Sequence, residues 1–162
     1  MRKLIFSLAI FFISLLTVSC FNSGPQTRFN ITYIVEGQQQ KLNPNEYEFK
    51  EGLKLPSYNK DGYFFLGWYD NEELSGEAIK EVKAGSLEDK TFYGKILKSY
   101  NLTLDFNGGQ EMDYEKTFHE EESVKLPPFS NKANHSFEGW YDNKEFLGEP
   151  ITSVPLGTNT DV

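Results

Sequence analysis

Cysteine is almost absent from this chain: one residue, Cys20, in 162. A single thiol closes no intrachain disulfide, and one Cys with two separated His, His119 and His135, gives no ligand set for structural zinc. Positive charge is scarce as well. The 16 Lys+Arg face 24 Asp+Glu, and the balance of −8 becomes −10 once Arg2 and Lys3 at the amino terminus are set aside. Nucleic-acid affinity rests on Lys and Arg neutralising phosphates, so nucleic acid is not expected as a partner. What the chain does have is aromatic: Phe 14, Tyr 9 and Trp 2 exclude a disordered acidic tail and require a folded core.

The one long apolar run is at the start. Met1-Arg2-Lys3 is followed by Leu4 to Val18, interrupted only by Ser7, Ser14 and Thr17, and then by Ser19-Cys20, the three parts of a secretory signal over residues 1–19. At about 1.5 Å per residue this run spans roughly 22 Å, short of the roughly 30 Å a permanent spanning helix must cross, so it is read as cleaved. Leu16-Thr17-Val18-Ser19-Cys20 resembles the bacterial lipoprotein lipobox, with Thr17 where an aliphatic residue is usual. That resemblance implies that Cys20 is acylated and becomes the first mature residue; ordinary cleavage near Ser19, leaving a free thiol, is the alternative. Residues 20–28, with Asn22-Ser23-Gly24-Pro25, suit a tether to a membrane. Acyl chains contribute about 0.8 kcal/mol per buried methylene, enough in combination to hold an acidic protein that headgroups do not attract.

An internal repeat organises the remainder. Gly67-Trp68-Tyr69-Asp70-Asn71 recurs as Gly139-Trp140-Tyr141-Asp142-Asn143, 72 residues on, and Leu53-Lys54-Leu55-Pro56 matches Val124-Lys125-Leu126-Pro127 at a spacing of 71. Two modules are expected, over 29–97 and 98–162. In the second, the counterpart of Thr91-Phe92-Tyr93-Gly94-Lys95-Ile96 would begin after Val162, so the module is expected to lack its last strand and the chain looks like part of something longer.

Within each module the apolar period is two. Phe29, Ile31, Tyr33 and Val35 alternate with Asn30 and Thr32, and Leu102, Leu104 and Phe106 alternate with Asn101, Thr103 and Asp105, so each copy is expected to open with a strand. Asn107-Gly108-Gly109 is a tight-turn signal, with Glu36-Gly37 as its weaker counterpart. Further strands are expected near 46–49 and 114–118, over Tyr63 to Tyr69 and Ser136 to Tyr141, and over Thr91 to Ile96. The helix candidate, Asn71 to Val82, is interrupted by Gly76 and matched by Gly148-Glu149-Pro150, which limits any helix to a turn or two.

This order of strand, Gly-Gly turn, Leu-Pro step, aromatic strand ending Gly-Trp-Tyr-Asp, and closing aromatic strand resembles the internalin B-repeat, also called the Listeria-Bacteroides repeat, over about 29–96 and 100–162. The first copy has Val35-Glu36-Gly37 in place of the Gly-Gly pair, and the family's frequent closing Trp is Ile96 here. The resemblance implies a mainly β, β-grasp-like fold, α+β at most, in tandem modules of the kind strung along bacterial surface proteins, often adhesins.

Trp68 and Trp140 could stack on sugars or cations, but a module of this size needs its largest side chains inside, and core anchoring is the expectation. Gly67 and Gly139 then allow close approach of a neighbour. Tyr69 and Tyr141 alternate to the opposite face and are the candidate ligand surface. Asp70-Asn71 and Asp142-Asn143 offer oxygens to calcium, yet an Asx turn explains them without a metal. His119 with Glu120, Glu121 and Glu122 has no His counterpart in the first copy and is read as a solvated acidic loop. The sequons at Asn30, Asn101 and Asn134 are idle behind a bacterial-type leader. No nucleophile with a base and no paired carboxylates recur at equivalent places, so no enzyme, metal or cofactor is expected. The expectation is a lipid-anchored, extracytoplasmic cell-surface protein whose repeats act as an adhesion or recognition stalk toward a host or cell-surface protein or glycan. As spacers they would instead present an enzymatic or ligand-binding domain beyond Val162.

Overall fold

The computed structural model describes residues 27–162. The leader at 1–19, Cys20 and tether residues 20–26 lie outside the described residues. The strands run β1 (Arg28–Val35), β2 (Gln38–Gln40), β3 (Glu46–Glu48), β4 (Leu53–Lys54), β5 (Tyr63–Tyr69), β6 (Glu81–Val82), β7 (Lys90–Lys98), β8 (Tyr100–Asn101), β9 (Thr117–Phe118), β10 (Val124–Lys125) and β11 (Ser153–Val154). The fold is mainly β, and among the described residues there is no helix.

In module 1 the sheet order is β2-β1-β7-β5, with β3 pairing the start of β1 on the edge that β2 takes at its end. The alternation in β1 does what period two requires: Ile31, Tyr33 and Val35 are buried, and Thr32 and Ile34 face the other way. Glu36 and Gly37, both at positive φ (50° and 72°), make the two-residue turn into β2. β7 is the central strand. It lies parallel to β1 (Tyr33 opposite Phe92, Val35 opposite Gly94) and antiparallel to β5 (Phe65 opposite Ile96, Tyr69 opposite Tyr93). The core gathers Ile31, Tyr33, Val35, Tyr47, Leu55, Trp68, Val82 and Phe92.

Module 2 repeats the core with Leu102, Phe118, Val124, Leu126, Trp140 and Val154. Its ladders are short: β8 with β9, β10 with β11, and an isolated bridge from Trp140 to Ile151. Module 2 opens with a strand as expected, but a short one: β8 pairs with β9 and stops at Asn101, while residues 102–106 and 136–141 carry strand patterning without forming a ladder, and among the described residues no strand lies where β7 lies in module 1. Val162 stands at the start of that place: the Thr103 N–H donates to the Val162 carbonyl at 2.7 Å and the Val162 N–H to the Asn101 carbonyl at 2.9 Å.

The helix candidate at 71–82 is also corrected. Leu74 and Gly76 sit at positive φ (51° and 89°), which ends any right-handed helix within one turn, and Glu81–Val82 is strand β6. The strand Gln38–Gln40 carries no apolar alternation in the sequence; it forms because the Glu36-Gly37 turn folds the chain back along β1.

Candidate functional site

The Gly-Trp-Tyr segment begins at a β-bulge. Between Phe65 and Gly67 the register against β7 shifts by one residue, so Leu66 is extra, and Phe65 and Trp68 both point into the core with ring centroids 5.1 Å apart. Phe137 and Trp140 repeat this at 5.3 Å. Trp68 is 2% exposed and packs on Tyr33 (4.8 Å); Trp140 is 8% exposed and meets Phe106 edge-on (5.2 Å). Each indole N–H donates to the carbonyl of the Leu-Pro step, Pro56 or Pro127, at 2.7 Å, so the one polar atom of each ring is satisfied inside. With both faces enclosed, neither indole is available to stack on a ligand.

Gly67 and Gly139 have φ of +140° and +137°. A Cβ at Gly67 would stand 2.6 Å from the Ala78 Cβ, and one at Gly139 would stand 2.4 Å from the Pro150 Cβ. The close neighbour is therefore the segment that returns to bridge the Trp backbone, where the Ile79 N–H donates to the Trp68 carbonyl at 2.7 Å and the Ile151 N–H to the Trp140 carbonyl at 2.8 Å.

Anchoring Trp68 inward turns Tyr69 outward. On the outer face of module 1, Tyr69 lies opposite Tyr93 of β7, and Tyr93 lies beside Ile34 of β1. The Tyr93 hydroxyl donates to Glu72 Oε1 at 3.1 Å; desolvation first, and then that carboxylate, raise its pKa above the ordinary tyrosine value, so it stays a neutral donor. Tyr93 carries no motif of its own in the sequence. The signal was available, since Phe92 and Gly94 on either side of it belong to the inward face of β7. Tyr141 has a different setting: its ring meets Phe146 edge-on at 5.7 Å beside exposed Leu147, and no ring contact links it to Tyr69 among the described residues.

The Asp-Asn pairs build turns. The Asn71 carboxamide accepts the Ser75 N–H and donates to the Ser75 carbonyl, both at 3.0 Å, and Asn143 does the same with Leu147 at 2.9 Å. Among the described residues no three His, Cys, Asp or Glu gather to hold a metal ion. The acidic loop after β9 is engaged rather than merely solvated: the Glu121 N–H donates to His119 Nδ1 (3.3 Å), the His119 ring packs on Phe64 of module 1 (5.1 Å), and Glu121 Oε2 pairs with Lys95 Nζ (2.6 Å).

Comparison with known proteins gives a match to the Listeria-Bacteroides repeat domain at residues 29–95 and 100–161. The chain is 34% identical over 124 residues to a protein of Evansella cellulosilytica provisionally named a Gly-rich membrane protein, covering 75% of this chain and 14% of that one. It is 28% identical over 120 residues to internalin H of Listeria monocytogenes, covering 72% and 20%. A second Evansella cellulosilytica protein, provisionally named a membrane protein, is 33% identical over 119 residues, covering 72% and 17%. The chain thus spans a fifth or less of the length of these curated relatives. Among the described residues no helix is long and apolar enough to cross a membrane.

Proposed function

The chain belongs to the Listeria-Bacteroides repeat domain family, and from that premise we propose that it is a bacterial surface protein, held by a lipid on Cys20, whose tandem modules act by presenting a recognition face and not by turnover. The observation that carries this reading is the division of labour in Gly-Trp-Tyr: the indole is sealed inside while Tyr69 stands on the outer face opposite Tyr93. Two tyrosines and Ile34 on one sheet face, with Glu72 bonded to one of them, offer flat apolar area with a polar edge, which suits a glycan or a protein surface. In an array with more such modules, weak contacts of this kind would gain from repetition, because later ones form at high effective concentration.

The test is binding of the purified chain to glycan arrays and to host-cell surfaces. Tyr69→Ala with Tyr93→Ala is expected to reduce binding about tenfold or more, as loss of central aromatic anchors does, and unchanged binding rejects this face. The anchor is tested separately: incorporation of labelled fatty acid is expected to vanish in Cys20→Ala, and label kept by that variant rejects lipidation at this residue.

A spacer role is the second reading, and the length comparison favours it. At least four-fifths of each relative lies outside the matched part, leaving room for other domains that such modules would hold away from the membrane. Arrays on which the chain binds nothing, with the modules folded, would select it.

A further inference from the structure

The geometry points to a stiff joint between the modules that is matched to this order of modules, so that the pair moves as one rod segment and not as two units on a string. This inference does not rest on the recognition reading. The connection is one residue long: β7 ends at Lys98 and β8 begins at Tyr100, and the Ser99 between them is tied back by its N–H to the Gly62 carbonyl at 2.8 Å. On either side of Ser99 lie two cross-strand pairs, Leu97 with Phe64 in module 1 and Tyr100 with Phe118 in module 2. The residue after Phe118 is His119, whose ring meets Phe64 edge-on at 5.1 Å. Lys95 reaches across to Glu121 at 2.6 Å, and its side chain is only 21% exposed although it stands on the outer face of β7. The loop presenting these groups is itself fixed, since the His119 N–H donates to Glu122 Oε1 at 3.1 Å.

The matching is visible against the internal repeat. At the spacing of 71 that aligns Leu53 with Val124, the places of His119 and Glu121 are held in module 1 by Glu48 and Lys50. Glu48 there is paired with Arg28 at 2.7 Å. At the spacing of 72 that aligns the two tryptophans, the place of Phe64 is held in module 2 by Ser136. A module-1 loop set on Lys95 would bring lysine to lysine, and a module-2 sheet would offer no ring to a histidine.

The test is a distance distribution by pulsed electron resonance on the full chain, spin-labelled at Gln39→Cys and Lys144→Cys in a Cys20→Ser background. Both label sites are exposed and away from the joint. A single narrow distribution is expected. Glu121→Lys and Phe64→Ser, which install the other module's residues, are each expected to widen it at least about twofold, while Lys95→Glu with Glu121→Lys restores the narrow form. Fluorescence of Trp68 and Trp140 monitors folding, and the surface substitution Glu121→Lys keeps the test valid if Phe64→Ser perturbs module 1. A broad distribution in the unsubstituted chain, no widening by Glu121→Lys, or widening that the reversed pair does not repair would each overturn the joint.

Discussion

Module 1 holds its tryptophan behind a sheet in which β7 runs between β1 and β5, whereas among the described residues module 2 holds the same residue with one bridge and two short ladders. The parts common to both are short-range: the Gly before the Trp at positive φ, the indole N–H on the Leu-Pro carbonyl, the Asx turn after Asp-Asn, and the Phe three residues before the Trp. What differs is the ladder, which needs a strand from far along the chain. Local geometry and side-chain burial thus set the shape of a module, and the central strand converts that shape into a continuous sheet.

The largest expected effect separates the two cores. Trp68→Ala and Trp140→Ala should each destabilise the affected module by about 3–5 kcal/mol, a large share of what a domain of this size has, roughly 4–10 kcal/mol. Each variant leaves one tryptophan as the reporter of the other module. Urea unfolding followed by that fluorescence should show Trp140→Ala leaving module 1 intact, and Trp68→Ala leaving module 2 with its own transition. If either variant abolishes the transition of the module that keeps its tryptophan, the modules unfold as one unit.

Next comes a way to make module 1 resemble module 2. A Cβ at Gly94 would lie 2.8 Å from Val35 Cγ2 and 2.9 Å from Trp68 Cζ3, so Gly94→Ala pushes β7 off the indole. The expected loss is about 2–3 kcal/mol, confined to module 1, with amide-exchange protection falling along β1 and β5 together. Protection that falls along β7 alone would mean that the sheet does not depend on it.

These contrasts also mark how far the sequence is legible. The turns and the alternating strands could be read because each is decided within a few residues: Tyr63 to Tyr69 was bounded as observed, and the Glu36-Gly37 turn closes a hairpin. Gln38–Gln40 was invisible, since three glutamines carry no period and their pairing comes from the turn before them. Over 102–106 and 136–141 the patterning supplies a face without a ladder, since pairing requires a neighbour. For the candidate site, the outward position of Tyr69 was legible from its place after Trp68. Its pairing with Tyr93 was not, because the register of β5 on β7 passes through a bulge that no local signal places. The contacts of the acidic loop are not legible locally either, because the groups it meets, Phe64 and Lys95, are more than twenty residues away.

A smaller effect distinguishes the modules by pH. Burial pushes the Tyr33 hydroxyl from 10.0 up to about 12, with its O–H donating to the Pro44 carbonyl at 2.8 Å. The folded state therefore keeps this proton where the unfolded chain has lost it. The stabilisation is fully present below pH 10 and is lost as the pH rises from 10 to 12. Up to about 2 kcal/mol should disappear over that window in module 1. Module 2 has Leu104 at this place, and Tyr33→Leu should remove the Tyr33 part of the alkaline slope from module 1. An unchanged slope would assign it to other tyrosines.

The smallest effect concerns the turns that the modules share. Asn71 accepts from both the Ser75 N–H and the Ser75 hydroxyl, each at 3.0 Å, while Asn143 has Leu147 opposite it and accepts only the N–H. Asn71→Ala should therefore cost about 1–1.5 kcal/mol and Asn143→Ala about 0.5–1 kcal/mol, the difference reflecting the one additional hydrogen bond at Asn71 in an exposed turn. The same bonds bear on calcium. Each carboxamide oxygen is already held by an N–H, and each carboxamide nitrogen also donates to the preceding Asp, at 3.1 Å from Asn71 to Asp70 and 3.0 Å from Asn143 to Asp142. A cation would have to break that set to coordinate both residues. Melting temperatures in millimolar calcium and in chelator should coincide for the unsubstituted chain, and a rise with calcium that Asp70→Ala or Asp142→Ala removes would make the pairs ligands after all.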